Sequence, residues 1–345
     1  MAEITIETRE AAGQDTRSQF KETTYLEAIR EAMWEEMKTD PAVFIMGEDV
    51  GAYGGAFKVT EGFLDEFGSS RVIDTPISEA AIVGAAIGVA HMGFKPIVEM
   101  QFIDFIAPAF DMIVNFAAKV RYRTGVGASL VIRGPCGGGA HSGPFHSQNV
   151  ESYFANVAGL KMVAPATARD AKGLLRSAIR DPDPVLYFEH KFLYRRIKEM
   201  LPTDEEILVP LGVARTHRAG SDLTLVTYGA MVHKASDAAE RIAEEDGAQI
   251  EILDLRTLRP LDGEAIIQSV KRTGRVLIVH EAPRFGGFAG EITAQLCEEV
   301  FEFLDAPIRR VTALDTPIPY SPPLEDYYLP QTDDIVKASR WLLAY

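Results

Sequence analysis

The sequence predicts an α/β protein with two domains. Short apolar runs alternate with amphipathic stretches along most of the chain, which is typical of a mostly parallel sheet covered by helices. The chain has 345 residues, enough for two ordinary hydrophobic cores. A segment rich in charge and proline, 199–212, separates two such patterns and is predicted to be a linker. We therefore expect an N-terminal arm over residues 1–20, a first domain over 21–198 and a second domain over 213–345.

The first domain is predicted to begin with a helix that has a reciprocal N-terminal cap. Thr24 is followed three residues later by Glu27, and this spacing is typical of a capping box. Beyond this point strands and helices are expected to alternate. The predicted strands are Val43–Met46, Arg71–Ile73, Pro96–Met100, Leu130–Arg133 and Val185–Glu189, and the predicted helices are Tyr25–Met37, Ala80–His91 and Phe110–Arg121.

The second domain has a more regular alternation of strands and helices. Its apolar runs are short and lie between amphipathic stretches, as in a further α/β unit. The predicted strands are Leu223–Thr227, Ile250–Leu255, Val276–His280 and Ile308–Thr312, and the predicted helices are Val232–Glu245 and Gly263–Lys271.

Composition excludes several classes of function. The formal net charge of −15 argues against nucleic-acid binding, which requires a basic face to replace phosphate counterions. No apolar run is long enough to cross a membrane, and the polar stretch Met1–Phe20 lacks the apolar region of a secretory signal. Cys136 and Cys297 are too few for a disulfide framework or a zinc site. We expect a protein of the reducing cytoplasm that binds neither nucleic acid nor membrane.

The first candidate site lies where a predicted strand turns into a very apolar helix. The segment runs from Asp74 through a proline to Glu79, and catalytic groups in open α/β sheets collect at such strand ends. One interpretation is that Glu79 complements the helix dipole, worth roughly 0.3–1 kcal/mol at an exposed position. The other is that small residues such as Gly84 bring a neighbour close, so that Glu79 is a buried carboxylate needing a protonated partner. The residue pattern alone leaves both open.

The second candidate site is the glycine-rich run Gly134–Gly139 with the two histidines that follow it, His141 and His146. Such a loop lets the backbone approach a ligand closely. It has neither the spaced glycines of a dinucleotide fingerprint nor the Gly-Lys-Ser/Thr of a P-loop, so phosphate binding is not indicated. No cysteine or carboxylate stands beside the histidines at metal-ligand spacing. A structural or solvent-exposed histidine is the alternative to a functional one.

Several segments in order along the chain carry a resemblance to a known family. They are Thr75–Glu79, Gln101–Phe105, Arg121–Gly125, Arg133–Pro135, His146–Gln148, Asp170–Leu175, Asp254–Leu258 and Leu314–Pro317. Together they resemble the β subunits of the thiamine-diphosphate-dependent decarboxylating component of 2-oxo acid dehydrogenase complexes, of the branched-chain, pyruvate and acetoin types. The resemblance extends from about Thr23 to the C-terminus. It implies a pyrimidine-binding α/β domain followed by a transketolase-type C-terminal α/β domain.

The resemblance also implies roles for individual residues. Glu79 matches the carboxylate that bonds to the pyrimidine ring nitrogen of the cofactor, where a charge-assisted bond in a dry site favours proton sharing. Ile77, Gln101 and Phe105 match residues that line the pyrimidine pocket. His146 matches the active-site histidine of the β subunit, and a histidine suits proton transfer or binding of the substrate carboxylate or the lipoyl acceptor. Which of these steps it serves stays open.

A further group of residues matches a structural alkali-cation site of the family. It offers only oxygen ligands, as a hard cation such as potassium prefers. The matching residues are Leu130, Ala178, Ile179, Asp181 and Asp183. Pro182 and Asp183 depart from some members of the family, which weakens the match at that end of the site.

One motif of thiamine enzymes is missing, and its absence predicts a partner. The chain contains no Gly-Asp-Gly, which together with a later Asn holds a magnesium ion on the diphosphate. The resemblance therefore implies that a separate α subunit binds the diphosphate and magnesium, in a heterotetramer of two α and two β subunits. It further implies decarboxylation of a 2-oxo acid and reductive acylation of the lipoyl domain of a dihydrolipoyl acyltransferase core, on which the C-terminal domain docks.

The substrate and two other classes of function remain open. Glu281–Pro283, Gly286–Phe288 and Gln101 resemble enzymes of the branched-chain (2-oxoisovalerate) type, which we favour, whereas Phe105 resembles the pyruvate type. A pyruvate or acetoin dehydrogenase β subunit is the alternative. A self-sufficient transketolase-like enzyme would require a diphosphate motif, which this chain lacks. A non-catalytic assembly subunit would not need Glu79 and His146, and both are present. The glycines of Phe285–Gly290 lack the spacing of a dinucleotide site, so NAD binding is not indicated.

Overall fold

The computed structural model describes residues 19–345, so most of the arm expected over residues 1–20 lies outside the described part. The strands are β1 (Phe20–Thr24), β2 (Val43–Gly47), β3 (Val72–Asp74), β4 (Lys95–Glu99), β5 (Val131–Cys136), β6 (Lys161–Val163), β7 (Val185–His190), β8 (Lys198–Pro202), β9 (Arg215–Arg218), β10 (Leu223–Thr227), β11 (Ile250–Asp254), β12 (Thr257–Arg259), β13 (Val276–Pro283) and β14 (Arg309–Ala313). The helices are α1 (Tyr25–Thr39), α2 (Phe63–Phe67), α3 (Glu79–His91), α4 (Val120–Thr124), α5 (Ala168–Arg180), α6 (Met231–Asp246), α7 (Gly263–Thr273), α8 (Ala289–Glu299), α9 (Pro322–Tyr328) and α10 (Thr332–Leu343). Within residues 19–345 no helix is long and apolar enough to cross a membrane.

The first sheet has seven strands in the order β12-β6-β7-β5-β4-β2-β3. All neighbouring pairs from β6 to β3 are parallel, and only β12 pairs in the antiparallel sense. The central strands β2, β5 and β7 are buried at every position, as expected for a parallel sheet covered on both faces. Helix α1 packs against α5 beside this sheet. The predicted capping box of α1 is confirmed, because Thr24 Oγ1 accepts from the N–H of Glu27 and the Glu27 carboxylate accepts from the N–H of Thr24.

The second sheet has five strands in the order β14-β13-β10-β11-β9, of which only β9 runs antiparallel. All four predicted strands of this domain are found, with bounds within three residues of the expectation. The α/β fold class is confirmed. Strand β12, however, belongs to the second half of the chain and completes the edge of the first sheet. The two domains therefore share a sheet edge that the sequence does not reveal.

Two segments differ from the prediction. In place of the single helix predicted over Phe110–Arg121, the structure has a π-helical turn at Met112–Ala117 followed by the short helix α4, and a 3₁₀ helix at Ile103–Ala109 precedes this segment. Pro108 cannot donate a backbone hydrogen bond, and the N–H of Ala118 bonds five residues back to Ile113, at 2.9 Å, which widens the turn. In addition, the start of the segment 199–212, expected to be a linker, is ordered in β8, which pairs antiparallel with β1.

A buried charge network joins α5 to the second domain. The Asp170 carboxylate, 1% exposed, accepts from Arg256 at 3.0 Å and from Arg215 at 3.3 Å. Asp254, which ends β11, is fully buried beside this network. Burial, reinforced by the negative charge of Asp170, raises the pKa of Asp254 to about 8. This carboxyl group is therefore held in its neutral form in the folded protein at neutral pH.

We expect Asp254→Asn to stabilise the protein at pH 8 and to have little effect near pH 4. In the unfolded chain an aspartate ionises near its ordinary pKa of about 4, whereas the folded protein retains the proton up to about pH 8. Native stability should fall as the pH rises through this window, and an amide removes that loss. Each kcal/mol that the variant recovers at pH 8 should raise the midpoint of thermal unfolding by roughly 2–4 °C. The exposed Asp237→Asn is the control, and equal shifts at both pH values would contradict the account.

Candidate active site

Acidic residues gather at the carboxyl edge of the first sheet. Glu48 and Asp49 follow β2, Asp74 ends β3 and Glu99 ends β4, and these three strands are neighbours. Glu79 begins α3 a few residues beyond β3. Because parallel strands bring their carboxyl ends to one edge, residues far apart in sequence lie together here. Among these acids only Glu79 was selected from the sequence. The other acids share one sequence feature that could have identified them, which is a carboxylate at the end of an apolar strand or just after it.

Glu79 has no partner within the described chain. Its side chain is half-exposed, and it makes no hydrogen bond or ion pair with any residue from 19 to 345. Its acidic neighbour Glu48 is 8% exposed, and burial followed by the negative charge of Glu79 raises the pKa of Glu48. A carboxylate at a helix N-terminus without a donor is available to bind a protonated or N–H group from outside the chain.

The other predicted site residues form a connected set next to these acids. The Gln101 side chain donates to Asp49 at 3.0 Å. The ring of the next residue, Phe102, lies edge-on to the His146 imidazole, with ring centroids 4.6 Å apart. The Phe105 ring also lies edge-on to this imidazole, with ring centroids 5.5 Å apart. The structure thus places Gln101, Phe105 and His146 together. Ile77 lies at the outer edge with 83% of its side chain exposed.

A buried ion cluster supports this edge of the sheet from below. The Arg133 guanidinium, 1% exposed, bonds to the carboxylates of Glu99 and Glu189, both of which are buried. Tyr194 adds a hydroxyl bond to Glu189 at 2.7 Å. Burial raises the pKa of Glu99, while Arg133 opposes this shift. In the sequence Arg133 is recognisable only as part of a family segment, and neither carboxylate was predicted to belong to the site.

The residues predicted to hold an alkali cation already have protein partners. Lys161 bonds to both carboxylate oxygens of Asp181 at 2.6 and 2.7 Å, and Arg121 bonds to Asp183 at 2.5 Å. The backbone carbonyl of Asp181 accepts from Ser129 at 2.7 Å. A potassium ion here would have to rely on backbone carbonyls, because the carboxylates are neutralised. Within residues 19–345 no cluster of three or more His, Cys, Asp or Glu suits a metal ion.

Three backbone donors at the centre of the glycine-rich loop are already engaged by carboxylates. The N–H groups of Gly138, Gly139 and His141 bond to carboxylates of the second domain, contributed by Glu281 and Glu325. A phosphate would have to displace these carboxylates. The geometry therefore agrees with the sequence, which did not indicate phosphate binding at this loop.

Comparison with known proteins identifies both halves of the chain. Residues 21–196 match the family described as "Transketolase, pyrimidine binding domain", and residues 212–335 match "Transketolase, C-terminal domain". A solved structure described as "Split gene transketolase, inactive beta4 tetramer" superposes with a TM-score of 0.76 at 23% identity, covering 93% of this chain and 98% of that chain. This likeness shows the fold.

Sequence relatives are more specific. The chain is 49% identical to the 2-oxoisovalerate dehydrogenase subunit beta of Bacillus subtilis (strain 168), over 93% of this chain and 99% of that protein. It is 45% identical to the mitochondrial pyruvate dehydrogenase E1 component subunit beta-1 of Arabidopsis thaliana, over 93% of this chain and 89% of that protein. It is 44% identical to the pyruvate dehydrogenase E1 component subunit beta of Staphylococcus aureus (strain COL), over 93% of this chain and 99% of that protein. The chain therefore belongs to the family of β subunits of the 2-oxo acid dehydrogenase E1 component.

Proposed function

We propose that this chain, together with an α subunit, decarboxylates a 2-oxo acid on thiamine diphosphate and transfers the acyl group to a lipoyl domain. The observation that carries the proposal is the carboxylate of Glu79, which has no partner within residues 19–345 and interacts electrostatically with Glu48, in a chain of this family. The residue after Glu48, Asp49, holds the Gln101 amide. When bound, thiamine diphosphate supplies a nucleophilic thiazolium carbon and an electron sink for decarboxylation. The residues of this chain bind its pyrimidine half and control the protons around it.

Glu79 is suited to hold a proton at the pyrimidine ring nitrogen. No residue from 19 to 345 donates to its carboxylate, so its full hydrogen-bonding capacity is available to a ligand. The pKa of its acidic neighbour Glu48 is raised, first by burial and then by the negative charge of Glu79. A proton shared with Glu79 changes the protonation of the bound ring without requiring bulk water.

Gln101, Phe105 and Ile77 are proposed to shape the pyrimidine pocket. The amide of Gln101 is fixed by Asp49, and the Phe105 ring by its contact with His146, so both surfaces are preorganised. Ile77 offers an apolar side chain that is 83% exposed in the isolated chain. An apolar side chain of this exposure beside a polar site is a natural contact for a ligand or a partner subunit.

His146 is proposed to act on the substrate or the lipoyl acceptor. Its ring is held edge-on by two phenylalanines, which fixes its direction and leaves its nitrogens for polar ligands. An imidazole can donate to a carboxylate and exchange a proton near neutral pH, so it suits either step.

The remaining half of the site is proposed to come from the α subunit. The chain lacks Gly-Asp-Gly, so the diphosphate and its magnesium ion are assigned to that subunit, within a heterotetramer of two α and two β subunits. The acyltransferase core and its lipoyl domain are the further partners. A structural potassium ion is also proposed, held by backbone carbonyls of the matching residues Leu130, Ala178, Ile179, Asp181 and Asp183. We also propose a cytoplasmic location, because both cysteines are free thiols, as is usual in a reducing compartment.

The proposed substrate is a branched-chain 2-oxo acid of the 2-oxoisovalerate type. The 49% identical relative from Bacillus subtilis carries that activity in its name, and the segments Glu281–Pro283 and Gly286–Phe288 resemble the same type. Pyruvate is the second candidate, because Phe105 matches that type and pyruvate dehydrogenase subunits are 44–45% identical.

Replacing Glu79 should abolish most of the activity of the assembled enzyme. We expect Glu79→Gln, which keeps the size but cannot share an acidic proton, to lower kcat by at least ~10²-fold, the scale of acid–base groups. The assay is 2-oxo acid turnover with thiamine diphosphate, magnesium and the co-purified α subunit. The control is Asp65→Asn on the exposed face of α2, which should keep full activity. Full activity of Glu79→Gln would contradict the proposed role.

The isolated chain should be inactive with every 2-oxo acid. Co-expression with the product of the neighbouring gene should restore turnover, because the diphosphate and magnesium site is then complete. The measurement compares the chain alone, the partner alone and the co-purified complex, with 2-oxoisovalerate and pyruvate as substrates. Turnover by the chain alone would show that the half-site assignment is wrong.

A further inference from the structure

The loop that carries His146 runs from Gly137 to Gln148 and is named the His146 loop below. Its two ends are joined by a bond from the N–H of Gly137 to the carbonyl of Gln148, at 3.1 Å. The N–H of Gln148 also bonds to the Asp104 carboxylate at 3.0 Å. These bonds fix the base of the loop to the first domain. Its centre has a different anchor.

Glu281, near the end of β13 in the second domain, is the first anchor of the centre. Its side chain is buried, and its Oε1 accepts from the N–H of Gly138 at 2.6 Å and from the Asn149 amide at 2.9 Å. Its Oε2 bonds to His190 Nε2 at 2.8 Å. Although burial raises the pKa of Glu281, His190 and the hydrogen-bond donors lower it to about 2. The anchor is therefore a carboxylate whose acceptors are engaged in holding the loop and His190.

Glu325, on α9, is the second anchor. It is fully buried, and its two oxygens accept from the N–H of Gly139 at 3.1 Å and of His141 at 3.0 Å. The His141 ring adds a contact to the same carboxylate at 2.5 Å. Glu281 and Glu325 together bond to three backbone N–H groups within four residues of loop. Bonds from N–H groups to a carboxylate are stronger than neutral ones and fix direction as well as distance.

Glycines let the loop pass close enough for these bonds. Gly137 has a φ of +83°, and a side chain there would collide with the His190 ring. Gly143 has a φ of +72°, and a side chain there would collide with the Tyr320 ring of the second domain. The loop is thus pressed against the second domain and held there by two carboxylates from it.

We propose that Glu281 and Glu325 are positioning residues that fix His146 from the second domain, an inference that rests on the proposed function of His146. Within residues 19–345, Phe102 and Phe105 hold the imidazole itself, through ring contacts that do not fix the backbone. Asp104 and the bond between Gly137 and Gln148 hold the base of the loop, and the two carboxylates hold the backbone of its centre. A displacement of about 1 Å at a reacting group can cost about 10²-fold in rate, so loss of either anchor should reduce catalysis.

Other contacts between the domains do not touch this loop and provide a control. His233 on α6 bonds to the carbonyl of Ala166 at 2.8 Å, away from the His146 loop. Its removal weakens the domain contact without releasing the loop. If Glu281 only joined the domains, His233→Ala and Glu281→Ala should have similar effects on catalysis.

The test uses the enzyme assembled with its α subunit and four variants of this chain. We expect Glu281→Ala and Glu325→Ala to lower kcat by about 10-fold or more. The KM for thiamine diphosphate should stay within about twofold, because Glu79 and Gln101 are untouched. Glu281→Gln should recover most of the rate, because its amide oxygen still accepts from Gly138 and Asn149 while its NH2 donates to a neutral His190. His233→Ala should keep kcat within about twofold.

Two further measurements separate this inference from the proposed function. Amide hydrogen exchange over 137–148 should be faster in Glu281→Ala and Glu325→Ala but not in Glu281→Gln or His233→Ala. The double variant Glu281→Ala/His146→Ala should be no less active than His146→Ala alone, because a group that acts through His146 has nothing left to position. Unchanged exchange, a Gln variant no better than Ala, or a further loss in the double variant would overturn the inference. Full activity of His146→Ala with altered exchange would instead refute the proposed role of His146.

Discussion

The arrangement of the site depends on the burial of one arginine. Arg133 lies in β5 with 1% of its surface exposed and bonds to the carboxylates of Glu99 and Glu189 on the two neighbouring strands. Taking a charged group out of water costs several kcal/mol unless partners compensate for it, and removal of one partner leaves the other uncompensated. With both carboxylates engaged, the three central strands keep a common register at their carboxyl edge. The glycine-rich loop leaves the sheet at Gly137, four residues after this arginine on the same strand, so the cluster holds the strand from which the loop starts.

The carboxylates around the candidate site fall into two groups according to their hydrogen-bond donors. Glu189, Glu281 and Glu325 accept from donors of this chain through both oxygens, and such saturated groups stabilise the structure or position a neighbour. Within residues 19–345 Glu79 has no donor, and Glu48 lies in its field with a raised pKa. A protein gains nothing in stability by placing two acids together without a cation. The repulsion between Glu48 and Glu79 is offset if a bound ligand supplies the missing hydrogen-bond donor. The lack of a donor from this chain thus distinguishes Glu79, the candidate catalytic acid, from the carboxylates that hold the structure.

The sequence predicts local features of this molecule well and long-range ones poorly. The strand predicted over Val43–Met46 was recognisable because every residue in it is apolar, and the structure extends it by one residue to Gly47. The Thr24–Glu27 cap depends on only four residues. Glu79 and His146 were selected because they lie in family segments, whereas the pattern alone left Glu79 undecided. The anchors of the loop could not be found in this way. Gly138 and Glu281 are 143 positions apart, and the bonds of Glu325 span 184 and 186 positions. No periodicity relates such pairs, and the crossing of β12 into the first sheet is hidden for the same reason.

The second domain therefore contributes to the site although none of the residues selected for catalysis lies in it. It supplies β12 to the first sheet, Arg256 to the network around Asp170, and two carboxylates to the loop that carries His146. These contacts are polar, buried and directional, so the relative position of the two domains is strongly specified. A rigid half suits the proposed shared site, in which the exposed side chain of Ile77 and the free carboxylate of Glu79 would meet groups contributed from outside this chain. Preorganisation on this side would limit the ordering that remains when the proposed partner and cofactor bind.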